Sequence, residues 1–363
     1  MSKQIKAILT IIAGTIGVGF LALPYSIYRF GTIGGIILLI VVGILTLITN
    51  LTYSEIITSD KGNRQIPGYV KKYLGKIPAH IITVIIIIGY LGILLAYALI
   101  SGSALKVIFS GVGIYLNSSF LGLLFAIMSL VVMRYGMQVI AKVSSWAVIA
   151  LILAIILLLT ISIPNISLSN VSPVSFSNFT LLFGVSIFAL YSAGSIPVID
   201  EIIGYDSKKF KRVVTIATII TLVIYILFGL ILSLSFGDLL TSQLVDSFGK
   251  EFRFASIVLS SLTLLATFTS FVSVSNSLKE ILNYDYKVSA RTSIFLISAT
   301  LIWALILQIT SFETLVSVVG TISLALQSLA IFAIWFRSQK SKSLFYRILV
   351  GVSGVIIIAG MLL

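Results

Sequence analysis

The sequence predicts an all-α polytopic membrane protein of about eleven transmembrane helices. Three observations predict it: 59% of the 363 residues are hydrophobic and only 10% are charged, apolar segments of membrane-spanning length follow one another along the chain, and Lys and Arg cluster in alternate connections between them. Soluble domains carry about 25% charged residues. Most of the molecular surface must therefore face a lipid bilayer.

Eleven segments approach the roughly 20 apolar residues that cross a hydrocarbon core. We place them at 6–28, 33–57, 80–109, 118–133, 143–163, 179–203, 213–236, 254–279, 292–309, 313–336 and 346–363. The polar segment 164–178 reads as an outer linker, and 66–76 suits a short interfacial helix. The N-terminal segment lacks a cleavage-site pattern, so we expect the first span to be retained.

The basic residues set the expected orientation. With the N-terminus inside, 20 of the 24 Lys and Arg residues fall on the inner side, and only Arg29, Lys106, Lys250 and Arg253 fall outside. Positive charge concentrates in cytoplasmic loops. We therefore expect a cytoplasmic-membrane protein with its N-terminus inside and its C-terminus outside. Because the basic residues are scattered between spans, the net charge of +13 indicates topology and no nucleic-acid partner.

The composition also excludes several classes of function. The chain has no Cys and a single His, so thiolate metal sites, disulfides and His-based metal clusters or catalytic triads are excluded. No paired carboxylates lie deep in the predicted spans. We expect no enzyme, no cofactor and no metal beyond a coupling sodium ion.

Two predicted spans contain residues that break helices. The first contains AGTIGVGFLALP (13–24), and the sixth contains FALYSAGSIPVIDE (188–201). Unwound backbone is tolerated at membrane depth only where protein buries it or a wet cavity adjoins it. The two segments therefore predict an internal cavity.

The two breaks occupy corresponding places, because each lies in the first helix of a set of five, and those helices run in opposite directions. Paired discontinuous helices of this kind are typical of inverted-repeat transporters with a site at the midplane. We expect one transmembrane transporter domain over 1–363, with repeats at about 6–163 and 179–336 and an extra helix at about 346–363.

The breaks predict the chemistry of a ligand. Amide groups freed at the start of a half-helix suit a carboxylate, and freed carbonyls suit an ammonium group or a metal cation. A zwitterionic amino acid satisfies both.

The eighth span adds a row of hydroxyls at helical spacing, at Ser260, Thr263, Thr267, Ser270 and Ser277. Lipid offers them no partner, so this face should point into the bundle and serve mainly helix packing. Thr269 and Ser270 lie level with the first break and are proposed cation ligands. In the third span, Gly89, Gly92 and Ala96 suit close packing, whereas Tyr90 and Tyr97 either reach the cavity or pack.

Acidic residues are few. Asp200 and Glu201 near the inner end of the sixth span are candidates for coupling to a proton. Because Lys208 and Lys209 follow about two turns later, an interfacial salt bridge or an inner gate is an equally good reading. Glu55, near the end of the second span, is expected to be solvated.

The sequence resembles the amino acid transporters of the amino acid-polyamine-organocation superfamily, nearest to the amino acid/auxin permease and aromatic (tryptophan/tyrosine) amino acid permease branch. The resemblance rests on four segments in the family's order and spacing. They are GTIGVGFLALP (14–24), GYLGILLAYALISGS (89–103), FALYSAGSIP (188–197) and ATFTSF (266–271).

The resemblance implies alternating access and a set of site residues. The amides around Gly17, Val18 and Gly19 would hold the substrate carboxylate. The carbonyls of Thr15, Phe188, Ala189 and Tyr191 would receive its amine, with Phe188 or Tyr191 as an aromatic gate. We also expect Ile16 and Tyr97 to belong to the substrate-binding residues.

A sodium site in related proteins would map to the carbonyls of Ala13, Ile16 and Ala266 and the hydroxyls of Thr269 and Ser270. Some proton-coupled relatives place a lysine in the middle of the fifth helix. Here 146–155 has none, and Lys142 lies near the inner end. The coupling ion stays open between Na⁺ and H⁺.

The sequence therefore predicts a secondary active transporter of a neutral, apolar or aromatic L-amino acid. A second class is an amino-acid-sensing membrane receptor of the spore germinant-receptor type, which is similar in length and around GVGFLALP (17–24). The two differ in whether the amino acid crosses the membrane.

Overall fold

The computed structural model describes residues 2–60, 64–132, 137–242, 244–247, 253–306, 311–338 and 344–363. The elements described there are helical. They are α1 (Lys3–Thr15), α2 (Leu23–Phe30), α3 (Thr32–Asp60), α4 (Ile66–Tyr73), α5 (Lys76–Gly111), α6 (Ser118–Val132), α7 (Met137–Ser162), α8 (Phe179–Leu190), α9 (Asp200–Ile203), α10 (Ser207–Phe236), α11 (Arg253–Tyr286), α12 (Ala290–Ile306), α13 (Phe312–Val318), α14 (Ala325–Ser338) and α15 (Leu344–Leu362).

Each of the eleven predicted spans contains a helix. Among the described residues, seven helical segments are long and apolar enough to cross a membrane, and an eighth span forms when α1 is joined to Val18–Phe30 across a bend of 50°. The stretches 118–131, 149–165 and 291–304 are shorter apolar helices. The prediction of an all-α, multi-pass membrane protein is confirmed.

Both predicted breaks are present. α1 ends at Thr15, and a 3₁₀ turn over Val18–Ala22 leads into α2. α8 ends at Leu190 and continues through 3₁₀ turns at Ala193–Ser195 and Pro197–Ile199 into the four-residue α9. Gly residues in these segments make helical backbone less favourable, and Pro lacks the amide that would donate the next helical hydrogen bond.

The outer linker is ordered by hydrogen bonds to the ends of the helices. The Ser172 hydroxyl donates to the Tyr28 carbonyl (2.6 Å), and the Asn170 amide donates to the Leu234 carbonyl (2.8 Å). Gly31 has φ +121°, and a Cβ there would lie 2.6 Å from Val174 Cα. The linker thereby supplies partners for carbonyls that the helix termini leave open.

The predicted interfacial helix is α4, which lies against the end of α3. Tyr69 is fully buried, and Asp60, the last residue of α3, pairs with Lys72 and with Arg64 (2.5 Å). The hydrogen bond that Lys72 donates to Asp60 raises the pKa of Lys72, whose ammonium stays charged. These ion pairs hold the basic segment 64–72 against the end of α3.

The expectation for Glu55 is wrong. Its side chain is 5% exposed, pairs with Lys211 Nζ of α10 at 2.5 Å, and accepts from Trp335 Nε1 of α14 at 2.8 Å. A buried carboxylate is costly unless it is paired and hydrogen-bonded, and these contacts compensate it. The residue joins three helices rather than facing solvent.

Small residues bring α5 against the helix that contains 312–338. A Cβ on Gly89 would overlap the Ser323 side chain, and one on Gly92 would lie 2.6 Å from Val319. The predicted close-packing role of these two glycines is confirmed. The facing turn, Val319–Leu324, is a π-helix between α13 and α14, a local widening that is often found at functional sites.

A second close contact fixes α8 on the same π turn. A Cβ on Gly184 would overlap the Ser317 carbonyl and the Thr321 hydroxyl, and one on Gly320 would overlap the Gly184 carbonyl. The unbroken half of the sixth span therefore rests backbone against backbone on the tenth.

We expect Gly184→Ala to destabilise the protein, because the methyl group would collide with backbone that cannot yield. Overpacking of this kind costs about 1–3 kcal/mol. The measurement is the thermal midpoint of the detergent-purified protein. Gly351→Ala on α15 is the matched control, since the nearest atom to its Cβ would be 4.0 Å away. Equal midpoints for the two variants would contradict the packing argument.

Candidate functional site

The two breaks meet at a cavity of about 340 Å³ between α1, α5, the end of α8 and α11. The predicted site residues that line it are Ala13, Thr15, Ile16, Gly17, Gly19, Tyr97, Phe188, Tyr191, Ala266, Thr269 and Ser270. Val18 and Ala189 are buried behind its wall. Among the side chains that the structure describes, those that line the cavity carry no charge.

Polar atoms from several helices border Gly17. A Cβ on Gly17 would lie 3.4 Å from the Tyr97 hydroxyl of α5 and 3.9 Å from the Ser270 hydroxyl of α11. The absence of a side chain at Gly17 therefore keeps the first break open to hydroxyls on two neighbouring helices.

Aromatic packing closes one side of the cavity. A Cβ on Gly19 would lie 2.6 Å from Phe188 Cδ1 and 2.8 Å from Ala189 Cα, so the two breaks touch here. Next to them Phe20 stacks on Tyr225 with ring centroids 6.1 Å apart and meets Phe228 edge-on at 4.9 Å. Phe20, Phe188 and Ala189 are buried, so this layer covers the cavity beyond Gly19.

The opposite side of the cavity is accessible. Gly14 and Gly194 are exposed and Thr10 and Ser195 are partly exposed, although all four line the cavity. Thr10 and Gly14 precede the first break in the chain. The cavity therefore opens toward the side of the molecule on which α1 begins.

Backbone hydrogen bonding at the first break differs from that of a helix. The Gly17 amide, which would close a helical turn on the Ala13 carbonyl, donates to the Thr15 carbonyl at 2.8 Å. The Ala13 carbonyl loses that helical partner, whereas the Gly17 amide is engaged. Of the three amides predicted for a carboxylate, those of Val18 and Gly19 begin the next helical turn and have no partner within it.

Tyr225 joins the two breaks. Its buried hydroxyl lies 3.1 Å from the Thr15 carbonyl and 3.3 Å from the Ala189 carbonyl. Both carbonyls were expected to receive a substrate amine. The two carbonyls share the single Tyr225 proton, and the Thr15 carbonyl also accepts from the Gly17 amide, so both are engaged in this conformation.

A buried amide on α3 also holds the sixth-span break in place. Ser192, which lines the cavity, accepts from the Asn50 amide of α3 at 2.7 Å, and the same amide lies 3.4 Å from the Thr218 hydroxyl of α10. Asn50 is 1% exposed. A buried amide of this kind restrains the backbone because leaving it unpaired is costly.

The proposed cation ligands on α11 lie at the cavity. The Thr269 hydroxyl donates to the carbonyls of Ala266 (3.1 Å) and Leu265 (3.3 Å). That bond uses the proton and leaves the oxygen lone pairs of Thr269 for another partner. Of the hydroxyl row, Ser260, Thr263 and Thr267 are buried, and Thr267 accepts from Ser101 of α5 at 2.8 Å, as expected for packing.

The side chains of Asp200 and Glu201 lie outside the described residues, so their predicted roles are untested. The Asp206 side chain caps α10 by accepting from the amides of Lys208 and Lys209 and pairs with Lys209 Nζ at 3.1 Å. The backbone hydrogen bond from Lys209 lowers the pKa of Asp206. Lys209 therefore has an acidic partner in Asp206, the residue that precedes α10.

Sequence reasoning missed Tyr225, Asn50 and Gln327. Each is a polar residue inside an apolar span, and a buried polar group usually has a partner. The same signal identified the hydroxyl row, but a single tyrosine or amide in a span does not indicate which backbone it will reach.

Residues 2–356 match the family described as Transmembrane amino acid transporter protein. This chain belongs to that family. The predicted membership of the amino acid-polyamine-organocation superfamily is confirmed, and so is the expectation that the protein is a transporter and no enzyme.

This family member is similar to "Glutamine transporter 2" of Aliivibrio fischeri, with 26% identity over 333 residues that cover 89% of this chain and 85% of the relative. The crystal structure of MhsT in complex with L-phenylalanine superposes with a TM-score of 0.63 at 14% identity and covers 98% of both chains. That likeness confirms the predicted fold of two inverted five-helix repeats with discontinuous first and sixth helices.

We expect Tyr225→Phe to slow transport several-fold and to lower the thermal midpoint. The ring can keep its stacking, but the Ala189 carbonyl loses its hydroxyl partner at a cost of about 1–3 kcal/mol. Uptake into liposomes and the midpoint in detergent are measured together. The matched control is Tyr28→Phe, whose hydroxyl bonds Asp238 at the surface at 2.9 Å. If both substitutions have the same small effect, Tyr225 does not hold the breaks.

Proposed function

We propose that this amino acid transporter is a secondary active carrier of a neutral L-amino acid, apolar or aromatic, across the cytoplasmic membrane, coupled to Na⁺ or H⁺. The observation that carries the proposal is the cavity in which both helix breaks meet, since the lining side chains that the structure describes carry no charge. A charged side chain would be costly there without a countercharge.

The breaks supply both ends of a zwitterion. The amides of Val18 and Gly19, which have no partner within their helical turn, favour the carboxylate at the start of a half-helix. The carbonyls of Phe188 and Tyr191 at the end of α8 favour the ammonium group, since Tyr225 engages that of Ala189. Tyr97, Phe188 and Tyr191 give the remaining wall its aromatic character. The names of the two similar proteins, a glutamine transporter and a phenylalanine complex, are consistent with a neutral substrate.

Alternating access would use the asymmetry of the cavity. The side on which α1 begins is open and the side beyond Gly19 is closed. With most Lys and Arg residues on the side of the N-terminus, the positive-inside rule makes the open side cytoplasmic. This arrangement supports an inward-open state with the N-terminus inside and the C-terminus outside.

The first experiment is uptake of single radiolabelled amino acids into liposomes that contain only this protein. Sodium and proton gradients are imposed separately. We expect uptake of neutral amino acids, with no competition from lysine or glutamate. Binding without uptake under both gradients would contradict transport and would support the sensing receptor.

The same assay tests the coupling ion. If sodium drives uptake, Thr269→Ala and Ser270→Ala should lose the sodium dependence because they remove two hydroxyl ligands. Ser261→Ala is the matched control, since that exposed hydroxyl on α11 bonds only within its own helix at Ile257 (2.8 Å) in the described contacts. Uptake driven by protons alone would contradict the sodium site and direct attention to Asp200 and Glu201.

Gly17→Leu and Gly19→Leu should abolish uptake without abolishing membrane insertion. At Gly17 the side chain would fill the space beside Tyr97 and Ser270, and at Gly19 it would separate the two breaks. Gly351→Leu on the peripheral α15 controls for the added volume. Normal uptake by both cavity variants would disprove the assigned binding site.

A further inference from the structure

A chain of hydrogen bonds runs from the cavity into the protein behind Tyr191. The Tyr191 hydroxyl donates to Gln327 Oε1 at 2.6 Å, Gln327 Nε2 donates to Ser323 Oγ at 3.3 Å, and Ser323 Oγ donates to the Ile85 carbonyl at 3.0 Å. Gln327 is fully buried and Ser323 is 5% exposed. The chain connects the sixth-span break to α14, the π turn and α5.

The Ile85 carbonyl, at the far end from the cavity, fixes the direction of these hydrogen bonds. A backbone carbonyl can only accept, so the Ser323 hydroxyl must donate to Ile85. Ser323 then offers only lone pairs to Gln327, which turns the amide so that its NH₂ faces Ser323 and its oxygen faces Tyr191. The Tyr191 proton is therefore committed to Gln327.

Local geometry holds the chain in place. Gly89 has no side chain and leaves room for Ser323 beside Ile85. Ser323 lies in the π turn Val319–Leu324, and Gln327 follows it by one turn on α14. Ser323 faces α5 at Ile85 and Gln327 reaches Tyr191 at the sixth-span break, so the two side chains link the neighbours on either side of the tenth span.

We propose that Gln327 is a positioning residue that makes the Tyr191 oxygen an obligatory hydrogen-bond acceptor, so that the transported amino acid presents an N–H donor to it. The proposal rests on the proposed function and defines the polarity that the site requires of its substrate. Tyr191 lines the cavity, and with its proton engaged it can bind another group only through a lone pair.

The N–H donor has two sources in an amino acid. One is the α-ammonium group, which every substrate carries. The other is a side-chain N–H, as in glutamine or tryptophan. Substrate pairs of similar shape distinguish them: glutamine against methionine sulfoxide, whose side-chain oxygen only accepts, and tryptophan against 1-methyltryptophan.

The test compares the wild-type protein with Gln327→Leu, Tyr191→Phe and the double variant in liposomes. Uptake of each substrate gives KM, and the ligand-induced shift of the thermal midpoint gives binding independently of turnover. Gln327→Leu keeps the volume and frees the Tyr191 proton, which can then turn toward the cavity. We expect Gln327→Leu to weaken substrate binding about fivefold to tenfold, the worth of one hydrogen bond.

The two sources give different patterns. If the side chain supplies the donor, Gln327→Leu lowers the preference for glutamine over methionine sulfoxide and for tryptophan over its methylated analogue. If the ammonium group supplies it, all substrates lose affinity equally. In both cases Gln327→Leu should have no further effect once Tyr191→Phe is present, because the substitution acts through the phenol.

The conservative variant Gln327→Glu provides the rescue. Burial favours the protonated acid, whose hydroxyl donates to Ser323 and whose carbonyl accepts from Tyr191. We expect near-wild-type KM and preference from this variant. A structural defect at position 327 would not be corrected so selectively.

Two results would overturn the inference. One is an unchanged KM, midpoint shift and preference in Gln327→Leu. The other is a loss in Gln327→Leu that is equally large with and without Tyr191→Phe, which indicates general damage. Failure of the proposed function is distinguishable, because the wild-type protein would then show no uptake of any neutral amino acid, while the midpoint shifts would still report whether binding depends on Gln327.

Discussion

Backbone that leaves helical hydrogen bonding inside a bilayer must find its partners in the protein, and the arrangement of this molecule follows from that constraint. Lipid offers neither donors nor acceptors. Two helices are broken where they meet, and neighbouring side chains supply the replacement hydrogen bonds. Tyr225 serves carbonyls of both breaks, and Asn50 reaches the second break through Ser192.

Close packing makes those replacements precise. At Gly89, Gly184 and Gly320 the absence of a side chain lets helices approach until backbone touches backbone or a hydroxyl reaches a carbonyl. Small residues at helix interfaces permit such approaches in membranes, where dispersion and hydrogen bonds replace the hydrophobic driving force between helices. The polar groups around the cavity are consequently held at fixed distances, which a selective binding site needs.

The sequence predicted the helices and both breaks, because hydropathy and the Gly and Pro residues act locally. It also predicted about half of the described cavity wall, mainly through the resemblance of four ordered segments. It did not predict the burial of Glu55, since a carboxylate near a span end is solvated unless a cation and an indole from other helices reach it, as Lys211 and Trp335 do. Tyr225 and Gln327 were not predicted for the same reason, because their hydrogen-bond partners are remote in the chain. The position of a residue along a helix does not specify which neighbouring helix its side chain will contact.

The π turn at Val319–Leu324 gives the tenth span one residue more per turn than its neighbours. Each residue of an α-helix turns the chain by about 100°, so the extra residue sets the rotational phase of everything after it. Shortening the turn by one residue would leave the contact of Ser317 with the sixth span in place but would rotate Gln327 off the face that meets Tyr191. The hydrogen-bonding character of the cavity therefore depends on the number of residues in the π turn as well as on the side chains that line the cavity.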